Sequence, residues 1–139
     1  MTYDEWERGI PDEIKADVVW RVKAYRLGLF ISDLACLDAK ALWKARETSE
    51  IADQMTRSAW RISSCVAEGY SRDTHKGRSV LYEYALGSAR ETRDWYYKAR
   101  HALSREVVQH RMKICAELVP LLVTMVANER QSKRRVSDD

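Results

Sequence analysis

From Ile14 to Met125 the apolar residues of this chain recur every three or four positions and nowhere alternate with a period of two. That spacing is helical. Ile14, Val18, Val22, Tyr25, Leu29 and Cys36 form one line, and Val19, Leu27, Phe30 and Leu34 form a second beside it. Together they predict one long helix over about residues 12–37. Pro11 suits its start, and Asp12 and Glu13 complement the positive end of its dipole. Ahead of it, Thr2-x-x-Glu5 fits a capping box over a short helical turn that Gly9 ends. The double stripe is wider than one core requires, so a second contact, with another subunit, is expected.

Leu37–Glu47 reads as a connector, with Asp38 capping a short extra helix. A second long helix is expected from Thr48 or Ser49, packing through Ile51, Met55, Ser58, Ile62, Cys65 and Val66. Gly69 reads as its left-handed stop, with Tyr70 folding back on the core. Asp73 or Thr74 caps a third helix, which packs through Leu81, Tyr84, Ala85, Ser88, Thr92, Trp95 and Ala99. Ser104 restarts the chain into a fourth helix that carries Val107, Val108, Ile114, Cys115, Leu118, Leu121, Leu122 and Met125. Pro120 falls inside that helix and is expected to kink it. The short second and third connections place neighbouring helices antiparallel. The expected architecture is therefore all-α, an antiparallel up-down-up-down four-helix bundle. It forms a single domain over 1–128, with a disordered basic and polar tail over 129–139.

Composition agrees with long helices: 45% apolar, 32% charged, only 5 glycines and 2 prolines. The net charge of +3 is unevenly spread. Between Met1 and Trp20, six acids face two bases, whereas Arg57–Lys113 holds twelve Lys and Arg against six Asp and Glu. A basic half attracts phosphate or an acidic partner. Arg72, Lys76 and Arg78 cluster at the second turn, and Arg90 and Arg93 follow along the third helix. Tyr82, Trp95, Tyr96 and Tyr97 are interleaved with them. Arg and Lys hold phosphates and aromatic faces stack bases, so these five cations are the candidate nucleic-acid contacts. The competing reading is a solvated helix face paired to Glu83, Glu91 and Asp94. Gly87 in mid-helix costs about 1 kcal/mol, so Gly87 and Ser88 are expected where another helix approaches closely.

The three cysteines, Cys36, Cys65 and Cys115, are far apart and sit among apolar neighbours. They predict buried free thiols rather than a disulfide framework or zinc site. His75, His101 and His110 share no helix turn, so no metal pair forms. Glu106-x-x-x-His110 misses the Glu-x-x-His spacing of carboxylate-bridged iron bundles. No nucleophile, base and orienting group fall in a persuasive order, so no catalysis, metal or cofactor is expected. No apolar run approaches a membrane span, and Met1–Ile10 is acidic and polar, unlike a signal peptide. A cytoplasmic location follows as the expectation.

Arg61-Ile62-Ser63-Ser64-Cys65-Val66-Ala67-Glu68-Gly69-Tyr70, then Ala85-Leu86-Gly87-Ser88-Ala89-Arg90-Glu91, with Val19-Trp20 upstream, carry a resemblance. The pattern is similar to a bacterial family of four-helix-bundle proteins first noted as products of intervening sequences in 23S rRNA genes. Its relatives include the accessory variability proteins of diversity-generating retroelements. Ser63 and Cys65 depart from the family's usual proline and asparagine. The resemblance implies a homopentamer that binds a reverse transcriptase and nucleic acid, as structured RNA or an RNA–DNA hybrid. The alternative is a scaffold or inhibitor that binds only protein, through the wide apolar face of the first helix.

Overall fold

The computed structural model describes the backbone of residues 1–138 and the side chains of residues 1–132. Six α-helices and no strand occur among the described residues: α1 Tyr3–Arg8, α2 Asp12–Lys15, α3 Lys23–Leu42, α4 Arg46–Tyr70, α5 His75–Lys98 and α6 Arg105–Asp138. Short 3-10 turns occupy Val18–Arg21 and Ala99–His101. α3 packs against α4 and α6, and α5 packs against the same two, so the four long helices close around one core. Ile31, Leu34 and Leu42 of α3, Met55, Ile62 and Val66 of α4, Tyr96 of α5, and Leu118 and Leu122 of α6 are fully buried within it. Each such side chain contributes about 1.5–3 kcal/mol, more than any exposed ion pair on this molecule's surface.

The N-terminal part departs from the single helix expected over 12–37. Asp17 adopts extended backbone and its carboxylate accepts from the Val19 amide at 2.9 Å. Val22 is extended as well, so the chain breaks twice before α3 begins. The capping box at Thr2 and Glu5 forms as expected and starts α1. α1 then lies against α3. Trp6 sits 5.2 Å from the Phe30 ring and donates its indole N–H to Asp33 Oδ2 at 2.7 Å. Val19, Leu27, Phe30 and Leu34 are all buried. Phe30 of the second apolar line is thus covered by this chain's own first residues, and all four members of that line are buried within one chain.

The expected connector from Leu37 is instead the last turn and a half of α3. Asp38 does not cap a helix; it is buried inside α3 near its C-terminal end. α4 begins at Arg46 after Ala45, with no side-chain cap. Thr48 turns back and donates to the Leu42 carbonyl at 2.5 Å, serving the end of α3 rather than the start of α4. Thr74 and Ser104 do cap, accepting from the Gly77 and Val107 amides.

Glycines act differently from the sequence reading. No residue among those described has the left-handed backbone, so Gly69 is not a left-handed stop. It is helical, and α4 runs on through Tyr70 to Ser71. Its small size answers to packing, because a Cβ there would meet the Tyr82 ring at 2.8 Å. At Gly87 a Cβ would meet nothing within 4 Å, so within one chain no helix approaches there. The close approach occurs at Gly28, where a Cβ would lie 3.0 Å from the Ser63 amide nitrogen. Pro120 sits inside α6 without ending it. That helix also passes straight through the boundary expected at Glu129. His75 Nδ1 pairs with Glu129 at 2.5 Å, and Arg130 pairs with Glu83. The tail expectation for the side chains of 133–139 lies outside the described residues.

Candidate nucleic-acid interface

The α4–α5 connection is tight, from Ser71 to Thr74, and it brings the end of one helix beside the start of the next. An open groove of about 750 Å³ lies there. Arg72 and Lys76 stand on its rim, Val80 and Tyr84 form its wall, and the carboxylates of Glu68 and Asp73 also line it. Thr74 satisfies the Gly77 amide, and the Arg78 amide donates to the Thr74 carbonyl. The first two amides of α5, at His75 and Lys76, have no intrahelical acceptor. They add the positive end of a helix dipole to the cations beside them.

The five candidate cations do not form one surface. Arg72 is bonded to Glu68 at 2.9 Å, an exposed pair one turn back on α4. Lys76 is exposed and makes no ion pair among the described residues. Arg78 is half-buried and drawn to Glu129 of α6 at 3.8 Å. Arg90 is exposed, about 20 Å farther along α5 at 1.5 Å per residue. Arg93 is half-buried and sits near Cys115 of α6. Arg72 and Lys76 are therefore brought together, while Arg78 and Arg93 turn toward α6.

Among the aromatics offered as base-stacking faces, Tyr82 and Tyr96 are core residues. Their spacing with Ala85, Ala89, Thr92 and Ala99 is a helical seam visible in the sequence. Tyr84, expected in the core, is 54% exposed in the groove wall. Tyr97 is exposed under the Arg100 guanidinium at 3.9 Å, and Trp95 lies under Lys98 at 4.3 Å. Of the packing residues, Ser88 is buried as expected, while Tyr70 remains 38% exposed instead of folding back. Trp60, half-exposed on α4 between Arg57 and Arg61, is a further aromatic and basic surface that the sequence reading passed over. Arg-x-x-Trp-Arg in a helix whose other line is apolar was its signal.

Also missed was a buried cluster. Asp38 of α3 accepts from Tyr96 of α5 at 2.7 Å and from Nε and Nη2 of Arg111 of α6 at 2.8 and 3.0 Å. Arg111 Nη1 lies 2.7 Å from His110 Nδ1. Burial pushes the His110 imidazole below its ordinary value, and the Arg111 charge adds to this. Burial also drives the nearby Cys115 thiol up to about 12. All three cysteines are free. No group of His, Cys, Asp or Glu that could hold a metal occurs among the described residues. None of their helices is long and apolar enough to cross a membrane.

Comparison with known proteins gives a family and a fold. The model of the 23S rRNA-intervening sequence protein family matches residues 23–124, from α3 well into α6. No curated protein matches the chain. Among solved structures, the chain is similar to a protein of unknown function of the S23 ribosomal protein family from Bacteroides thetaiotaomicron. The two share 18% identity at a TM-score of 0.69, over 74% of this chain and 97% of that one. At that identity the likeness speaks for the fold alone.

Proposed function

The chain belongs to the 23S rRNA-intervening sequence protein family, and from that premise we propose a non-catalytic, oligomeric accessory protein that binds nucleic acid. We read α3 to α6 as an antiparallel up-down-up-down four-helix bundle. The short turns and the closed order of helix contacts support that arrangement. The partner nucleic acid is structured RNA or an RNA–DNA hybrid, and the protein partner is a reverse transcriptase. Both are drawn from the sequence resemblance to retroelement accessory proteins, as is a homopentamer, and action in the cytoplasm is part of the same proposal.

One observation carries the binding site: the groove at the α4–α5 turn. There Arg72 and Lys76 stand at the N-terminus of α5 beside the exposed Tyr84 ring. Phosphate is held by helix N-termini and cations together, and an aromatic wall accepts a base face. The protein-only alternative relied on a wide apolar face of the first helix. α1 and Trp6 cover much of that face, which favours the nucleic-acid reading.

Retention of an RNA hairpin, single-stranded DNA and an RNA–DNA hybrid in low salt tests it. Affinity should fall with salt at a log–log slope of about −0.7 to −0.9 per neutralised phosphate. Arg72→Glu with Lys76→Glu should abolish retention and leave helicity unchanged. Lys40→Glu with Lys44→Glu, at the end of α3 and in the connection after it, should change it little. Absence of binding by the parent chain would leave the protein-only scaffold in its place. Equal loss in both pairs would mean diffuse attraction without a site. Light scattering should give about 81 kDa, five times the 16.2 kDa chain; a monomer would remove the oligomer from the reading.

A further inference from the structure

A second cavity, of about 420 Å³, opens between α1, the N-terminal half of α3 and the N-terminal half of α6. Its volume falls within the range of small-molecule sites, roughly 300–1,000 Å³. Leu27, Phe30 and Ile114 line it, all of them buried apolar side chains. The polar groups around it are mostly cationic: Lys23, Arg26 and Lys113 face a single acid, Glu117. Glu117 is taken by Lys23 at 3.4 Å. Arg26 donates one N–H to the Trp20 carbonyl at 2.9 Å, and neither Arg26 nor Lys113 has a carboxylate partner among the described residues.

Two further groups at this cavity lack partners. His110 lines it, and its Nδ1 faces the Arg111 guanidinium at 2.7 Å. A guanidinium only donates, so Nδ1 accepts and the ring hydrogen sits on Nε2, leaving one N–H unengaged. Tyr3 also lines the cavity, and its hydroxyl is buried with no hydrogen-bond partner. A buried hydroxyl without a hydrogen-bond partner is unfavourable, so an acceptor supplied from outside would be favoured.

We propose that this cavity binds a small carboxylate with an apolar body, of the medium-chain fatty-acid type. The chain lies on Leu27, Phe30 and Ile114, and the carboxylate sits between Arg26 and Lys113. Two uncompensated cations match one carboxylate, and the apolar lining rejects a compact hydrophilic anion. The site shares no lining residue with the α4–α5 groove, and its occupancy does not depend on nucleic-acid binding.

Calorimetric titration of the full chain with decanoate, below its micelle-forming concentration and near pH 7.5, tests the site. One saturable event per chain is expected. Decanol and decyltrimethylammonium, matched in chain length, should bind at least tenfold more weakly. Lys113→Glu, an exposed change, should weaken decanoate at least tenfold with the helical melting curve unchanged. Ile114→Trp should fill the cavity and remove binding. Because that variant is a core change, the surface variant and the neutral ligand decide the outcome if it unfolds. No saturable binding of decanoate, equal affinity for decanol, or full affinity in Lys113→Glu would each overturn the proposal.

Discussion

Tyr96 on α5 donates its hydroxyl hydrogen to Asp38 on α3 at 2.7 Å, although 58 residues separate them in the chain. Arg111 of α6 reaches the same carboxylate with two N–H groups. Three of the four long helices therefore meet at one buried carboxylate. Paired burial of charge contributes little net stability, since desolvation offsets the attraction. What it does is penalise every other register, because any slip strands a charge in the core.

Removing one partner should therefore cost more than removing the whole set. Arg111→Met leaves Asp38 uncompensated and should lower unfolding free energy by about 3–5 kcal/mol. Tyr96→Phe removes one bond to a charged acceptor and should cost about 1.5–3 kcal/mol. Asp38→Leu with Arg111→Met should recover much of the single loss. Urea titrations of the variants check this ordering. A double variant weaker than Arg111→Met would refute it.

Alkaline pH should destabilise the fold. Burial, reinforced by Asp38, raises the Tyr96 phenol well above its ordinary value of about 10. Burial alone drives Cys115 to about 12, and Tyr25 and Tyr82 move the same way. These groups keep their protons in the folded chain when the unfolded chain has lost them. Their contribution is complete below about pH 9 and is lost progressively above it. Each adds a slope of about 1.4 kcal/mol per pH unit within its window. Urea midpoints at pH 8, 10 and 11 should fall in that order, and Cys115→Ala should flatten the part between 9 and 12. A pH-independent midpoint would contradict the burial of these groups.

The two glycines on opposite sides of the fold should respond oppositely to alanine. Gly28→Ala pushes a methyl against the Ser63 backbone at 3.0 Å and should lose roughly 1–3 kcal/mol. Gly87→Ala meets open space and should gain about 1 kcal/mol of helix propensity. Thermal melts compare the pair. Gly87→Leu adds a further reading: if this gap seats a neighbouring subunit, the leucine should lower the assembly mass while helicity stays constant. Unchanged mass would place Gly87 outside any subunit contact.

Sequence periodicity was sufficient for the helical class, the second, third and fourth long helices, and most of the core. A 3.6-residue spacing reports directly which positions face inward. Caps at Thr2, Thr74 and Ser104 were legible because a side-chain oxygen needs only the amide three residues on. Basic character near Arg72 and Lys76 was legible for the same local reason. Tertiary structure alone decided the rest. Asp38 reads locally as a cap and proves to be the partner of residues 58 and 73 positions away. Gly69 reads as a stop and proves to be a gap for the Tyr82 ring. Phe30, in the second apolar line, reads only as an inward-facing position and proves to be the seat of Trp6. In each case the residue type states a physical need, for charge, for space or for cover. Which distant group meets that need is fixed only when the helices pack.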